Sequence, residues 1–160
     1  MSSPQVTEEQ IVATIREQIG SLAENLKLDG KGRISLVVNR ETASEAAVRL
    51  RDLGFDHTVA VAGVDYLNEK RMEVVYFLSS YSRDDLKHLI ISLKVQLDRE
   101  NPTTRALTPI WQSANFFERE AFEMYGISFE GHPDLRRLLL QDNWDGPPPM
   151  RKDLKIPELA

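Results

Sequence analysis

Three glutamates, Glu118, Glu120 and Glu123, crowd one short stretch, with Arg119 between the first two and His132 a little downstream. Carboxylates held as a facing pair can share general acid and general base roles. Here the spacing argues against that chemistry. On a helix turning about 100° per residue, Glu118 and Glu120 point about 160° apart. Glu123 stands four residues after Arg119, the separation of a helix-surface ion pair. No nucleophile motif accompanies the acids: the chain has no G-x-S-x-G elbow, no G-x-G-x-x-G and no phosphate-binding loop. Gly30-Lys31-Gly32 is a two-glycine turn and nothing more. His57, His88 and His132 are far apart and lack metal-site spacing. The absence of cysteine rules out disulfides and thiolate-held zinc or iron–sulfur centres within this chain.

Glu118 itself still needs an explanation. Placed on a helix, Ala114, Phe117, Ala121, Met124 and Tyr125 form one apolar arc, and Glu118 falls inside it. A carboxylate in apolar surroundings requires a cation, several donors or a raised pKa. Three readings are open: an ion pair with Arg136 or Arg137, a contact with a neighbouring chain, or a lone catalytic carboxylate. Under the ion-pair reading, Glu118→Gln is expected to damage assembly more than turnover, since breaking a buried pair costs about 3–5 kcal/mol.

Composition narrows the classes of function. Acidic residues outnumber basic ones, 25 to 20, and no basic stripe is interleaved with aromatics, so nucleic acid is not an expected partner. No uncharged apolar run reaches the roughly 20 residues that span a bilayer. The polar, acidic start is unlike a signal or transit peptide. Any membrane attachment is therefore expected to run through another protein.

The elements that must position the acids can be read from periodicity. Thr7 with Gln10 makes a capping box, and Ile11, Ile15, Ile19 and Leu22 predict a helix over 8–26, broken by Asp29-Gly30-Lys31-Gly32. Residues 34–39 read as a strand. Thr42 with Glu45 suggests a second capping box, opening a helix that Gly54 ends. Strands are predicted over 57–64, 72–80 and 88–97. The second is apolar on both faces, and the third alternates, with His88 on its wet side. Asn101 to Thr104 reads as a loop, Leu107 to Trp111 as a short extended piece, and the charged helix stops at Gly126. From 142 onward prolines exclude a regular helix or a central strand. Trp144, Met150, Leu154 and Ile156 are candidate anchors of an extended arm. The domain expectation is therefore an α+β unit over 1–141 and a C-terminal arm over 142–160, the arm either folded back or laid along a partner.

Taken together, Glu118-Arg119-Glu120, Glu123-Met124-Tyr125, His132, Arg136 and Leu138-Leu139 resemble the signature of the 30-kDa (C-type) family of respiratory complex I, including its chloroplast-type and archaeal F420H2 dehydrogenase relatives. Trp144, Pro148-Pro149 and Arg151-Lys152-Asp153 resemble that family's ending. Many members carry aspartate where Glu123 stands. The resemblance implies an α+β fold with a mixed or antiparallel sheet of about four strands, packed helices and a proline-rich C-terminal arm. It implies a cofactor-free, non-catalytic component of a hetero-oligomer, with iron–sulfur clusters and flavin in partner subunits. Expected partners are the 49-kDa (D-type) and the iron–sulfur (B-type and I-type) subunits, at the cytoplasmic face of the membrane without direct insertion. The parent complex would be an ion-pumping oxidoreductase with NADH, F420H2 or ferredoxin as donor and quinone or phenazine as acceptor. A related membrane-bound hydrogenase, or a free-standing small carboxylate enzyme, is the alternative. Within that frame Glu118, Arg119, Glu120, Glu123, His132, Arg136, Arg137, Trp144, Arg151, Lys152 and Asp153 are expected to be structural or interface residues. His132 with Pro133 would shape the turn that delivers the arginines.

Overall fold

Thr7 starts the first helix by a reciprocal cap: its Oγ1 accepts the Gln10 N–H at 3.2 Å, and Gln10 Oε1 accepts the Thr7 N–H at 2.9 Å. In the computed structural model, which describes residues 4–155, α1 spans Glu8–Ile19 and buries Ile11, Ile15 and Ile19. It stops there instead of continuing to residue 26. From Leu26 the apolar spacing shortens from four to two, and Leu26 and Leu28 alternate with polar neighbours along strand β1, Ala23–Gly30. Asp29-Gly30-Lys31-Gly32 is accordingly a hairpin turn. Gly30 and Gly32 take positive φ (141° and 73°), which returns the chain into β2, Arg33–Asn39.

The helix α2, Ala43–Leu53, forms as expected, though not through a Thr42–Glu45 box. Asn39 Oδ1 accepts the amides of Glu41 and Thr42, and the Thr42 hydroxyl donates to Leu22 O. Gly54 closes α2 in the left-handed conformation at φ 119°. Three strands follow: β3 (His57–Tyr66), β4 (Arg71–Ser79) and β5 (Ile90–Asp98).

These strands and the hairpin make one mixed sheet in the order β1-β2-β5-β4-β3, five strands where about four were expected. The β2–β5 pair is parallel and the others are antiparallel. A short parallel pair, β6 (Thr103–Arg105) and β7 (Ser128–Glu130), brackets the third helix, α3, Asn115–Tyr125. Leu107 to Trp111 is a turn, with the amides of Ile110 and Trp111 both donating to Leu107 O.

Registered neighbours Leu36, Leu93, Tyr76 and Val61 run across one sheet face, and the buried apolar side chains of all three helices join the same cluster. Val38, Val74, Val95, Trp111 and Phe129 also belong to it. The architecture is thus α+β. Among the described residues no helix is long and apolar enough to cross a membrane.

One contact fixes α3 on β3. A Cβ placed on Gly63 would lie 2.5 Å from the Tyr125 ring, so only glycine lets the two elements approach this closely. Gly63→Ala is expected to cost about 1–3 kcal/mol by overpacking, read as an earlier midpoint in urea unfolding.

Candidate functional site

The charged helix of the sequence is α3, and its polar residues divide among three jobs. Glu118 faces the core with no exposed surface. Its Oε1 accepts the Leu107 N–H at 2.8 Å and the Tyr76 hydroxyl at 3.2 Å. Arg136 and Arg137 are not its partners, because Arg136 is held by Asp134 and Arg137 donates to Trp144 O at 2.6 Å. No cation within the described residues reaches Glu118. Burial raises its carboxyl to about 7, with the donors from Leu107 and Tyr76 offsetting part of the rise. Burial and the adjacent carboxyl together push the Tyr76 hydroxyl well above its ordinary range, so it remains a donor. Two further buried oxygens at this spot, Glu118 Oε2 and Thr108 Oγ1, have no hydrogen-bond partner among the described residues.

Arg119 and Glu123 do not form the expected surface pair with each other. Both are buried, at 8% and 5% exposure, and each grips the backbone of the chain that follows the helix. Arg119 donates from Nε to Arg136 O (3.0 Å) and from Nη2 to Arg137 O (3.2 Å). Glu123 accepts the next three amides, Leu138 (3.2 Å), Leu139 (2.8 Å) and Leu140 (2.5 Å). Burial pushes the Glu123 carboxyl up, but the three amides and Arg137 outweigh it and hold the group below its ordinary value. The i,i+4 spacing that suggests a pair thus sets a cation over successive carbonyls and an anion under successive amides.

His132 shapes the turn into this clamp. The Asp134 N–H donates to Nδ1 at 3.0 Å, which leaves the proton on Nε2, donated to Asn115 O at 3.2 Å. With the backbone of 136–140 tied down, the side chains of Leu138 and Leu139 stay exposed, as do Phe116, Trp144 and Met150.

The described part of the arm, up to residue 155, lies against its own domain at a few points; residues 156–160, and with them the anchor candidate Ile156, fall outside the described chain. Met150 N–H donates to Met124 O at 2.8 Å, and Pro148 sits over Gly126. Lys152 uses its backbone, donating N–H to Asp65 Oδ2 at 2.8 Å. Asp153 pairs with Arg99 at 2.9 Å and lies 3.7 Å from Arg151. Asp65 and Arg99 themselves form a buried bidentate pair at 2.7 and 3.1 Å. The Arg99 guanidinium, working against burial, holds Asp65 below the usual carboxylate range. Sequence reasoning missed both residues. The available signal was Asp65 itself, an acid on the apolar phase of β3, registered opposite the buried Met72.

These arrangements bind backbone and position a loop. Among the described residues no group of histidines and carboxylates is disposed to hold a metal ion, and Glu118 reaches no second carboxylate for acid–base work.

Comparison with known proteins follows the same lines. A family model described as respiratory-chain NADH dehydrogenase, 30 Kd subunit, matches residues 36–159. The C subunit of an NADH-quinone oxidoreductase from Roseiflexus sp. (strain RS-1) is 42% identical over 130 residues, covering 79% of this chain and 72% of its own. The C subunit of an F(420)H(2) dehydrogenase from Methanosarcina mazei is 38% identical over 122 residues, covering 76% and 75%. Among solved structures, a trypsin-resistant fragment of Nqo5 superposes with a TM-score of 0.68 at 31% identity, covering 78% of this chain and 98% of the fragment. A chain of the archaeal membrane-bound sulfane sulfur reductase shares the fold, with a TM-score of 0.80 at 22% identity, covering 92% and 85%.

Two outcomes are expected from the site. Because the folded Glu118 titrates near 7 and an unfolded glutamate near 4.5, the folded chain keeps a proton that the unfolded chain loses between those values. Its contribution to stability is therefore greatest below pH 4.5, falls as pH rises to about 7 and is level beyond, a total on the order of 3 kcal/mol. Urea unfolding of wild type and Glu118→Gln across that range should differ by this sloping term, whereas a flat difference would mean the acid titrates normally. Glu123→Gln should cost about 1 kcal/mol by leaving part-buried amides poorly paired, and should speed trypsin cleavage after Arg136 and Arg137.

Proposed function

This chain belongs to the respiratory-chain NADH dehydrogenase 30 Kd subunit family, and we propose that it is a cofactor-free structural subunit in the peripheral arm of a complex I-like, ion-pumping oxidoreductase. It braces the larger subunit of the 49-kDa type, next to which quinone is reduced, and lies near the iron–sulfur subunits of the B and I types. Electrons from NADH, F420H2 or ferredoxin reach quinone or phenazine through those neighbours and not through this chain. Attachment to the cytoplasmic face of the membrane is peripheral, through the same neighbours.

The observation that carries this reading is the division of labour on α3. The signature residues Arg119 and Glu123 are buried and bonded to this chain's own backbone instead of being offered to a substrate. The loop they hold carries exposed Leu138 and Leu139, and Arg137 in turn holds the carbonyl of the exposed Trp144. A rigid loop presenting aliphatic and tryptophan side chains supplies the anchors that dominate protein–protein affinity, with the ordering cost met before the partner arrives. His132, Arg136 and Arg137 set the entry and exit of that loop. Arg151, Lys152 and Asp153 set the course of the arm across its own domain, and the arm's outer side meets the partner.

Purification of the tagged full-length chain from its native membrane fraction tests the reading. Wild type should bring with it an assembly containing iron–sulfur centres. Leu139→Asp, at a side chain 60% exposed, should unfold at the wild-type urea concentration yet recover at least tenfold less iron. A wild-type chain that elutes alone, or a variant that recovers full iron, defeats the proposal.

A further inference from the structure

Glu120 is the one member of the Glu-Arg-Glu run that grips neither the core nor the loop. It is exposed and forms no ion pair among the described residues. It lies on the rim of a groove of about 280 Å³ between β3 and α3. The β3 wall is Val61, Ala62 and Gly63, the α3 wall is Ala121, Met124 and Tyr125, and the arm closes one end with Met150. β3 is an edge strand, so no further strand of the sheet covers this side.

The groove combines an apolar floor with a single unpaired carboxylate and an aromatic ring. Burial raises the Tyr125 hydroxyl, and the Arg99-paired Asp65 and Glu120 add to that rise. Two of the chain's nearby cations are engaged elsewhere. Arg99 is held by Asp65 and Asp153, and Arg151 lies beside Asp153. A long side chain with an aliphatic stem and a cationic head matches this lining. The stem can lie along Met124, Met150 and Val61, and the head can reach Glu120 at the rim beside the Tyr125 face.

We propose that this groove receives an arginine or lysine side chain from a neighbouring subunit, with Glu120 as its counter-ion. The inference rests on the proposed role as a subunit and adds a defined contact to it, on a different flank of α3 from the Leu138–Leu139 loop. It also gives the arm a second role. Met150 is placed by its own amide on Met124 O, so the groove is complete only when the arm is docked.

The test titrates the full-length chain into the membrane assembly isolated without it, at low and high salt. Glu120→Gln should weaken binding roughly tenfold at low salt, and Glu120→Arg by more. High salt should narrow the gap between wild type and Glu120→Gln, and Glu120→Asp should restore most of the affinity. All three variants should unfold at the wild-type urea concentration, because the site is open. If Glu120→Arg binds as tightly as wild type at low salt, the counter-ion role is overturned while the subunit reading stands. If wild type itself does not bind, the subunit reading falls and this contact falls with it.

Discussion

Much of the geometry follows from one constraint: the backbone after α3 leaves regular structure while still partly buried, so its amides and carbonyls need partners. Secondary structure meets that need over most of the chain, and single side chains such as Asn39 meet it at a few turns. Here two side chains of a single helix do so, Arg119 for the carbonyls of 136 and 137 and Glu123 for the amides of 138 to 140. Ionised groups make these bonds stronger than neutral ones would be. The loop is therefore stiff without being a helix or a strand, and its apolar side chains are free to face outward.

The position of α3 governs where that loop goes. On one side the Tyr125 ring lies on Gly63, and on the other Glu118 reaches through the core to Tyr76 and Leu107. A buried acid without a cation is a costly joint, and its raised pKa records that cost. The joint nevertheless ties three separate elements together at one point: β4, the 107–111 turn and α3. Asp65 and Arg99 act likewise at the end of the sheet, where a buried pair satisfies itself and then takes up Lys152 N–H and Asp153 from the arm. Loop and arm are thus held by charge and backbone hydrogen bonds, with little apolar burial. Such attachments favour a segment whose apolar side chains are kept for another surface.

Several elements are legible in the residues. The Thr7–Gln10 cap, the strict alternation of β5, the glycine ends of α2 and α3 and the charged helix itself are local features, encoded within a few residues of where they act. Periodicity overextends the first helix because Leu22 and Leu26 continue a four-residue spacing past Gly20, while the competing period-two pattern of β1 gains its stability from pairing with β2. The family signature at 118–139 and 144–153 is equally readable, since it is a matter of residue order.

Partners in space are not. Sequence spacing offers Arg119 and Glu123 to each other and Arg136 and Arg137 to Glu118, because nearness along the chain is the only distance it contains. Folding replaces those choices. The carboxylate of Glu123 faces amides fifteen to seventeen residues onward, and Asp65 meets Arg99 across thirty-four. By itself the sequence determined the helix that carries the acids, the α+β class and the family. The tertiary structure alone decided which charges meet each other, which meet backbone and which are left free. Hydrogen bonds and ion pairs act over a few ångströms, and only the packed sheet and helices set which groups come that close.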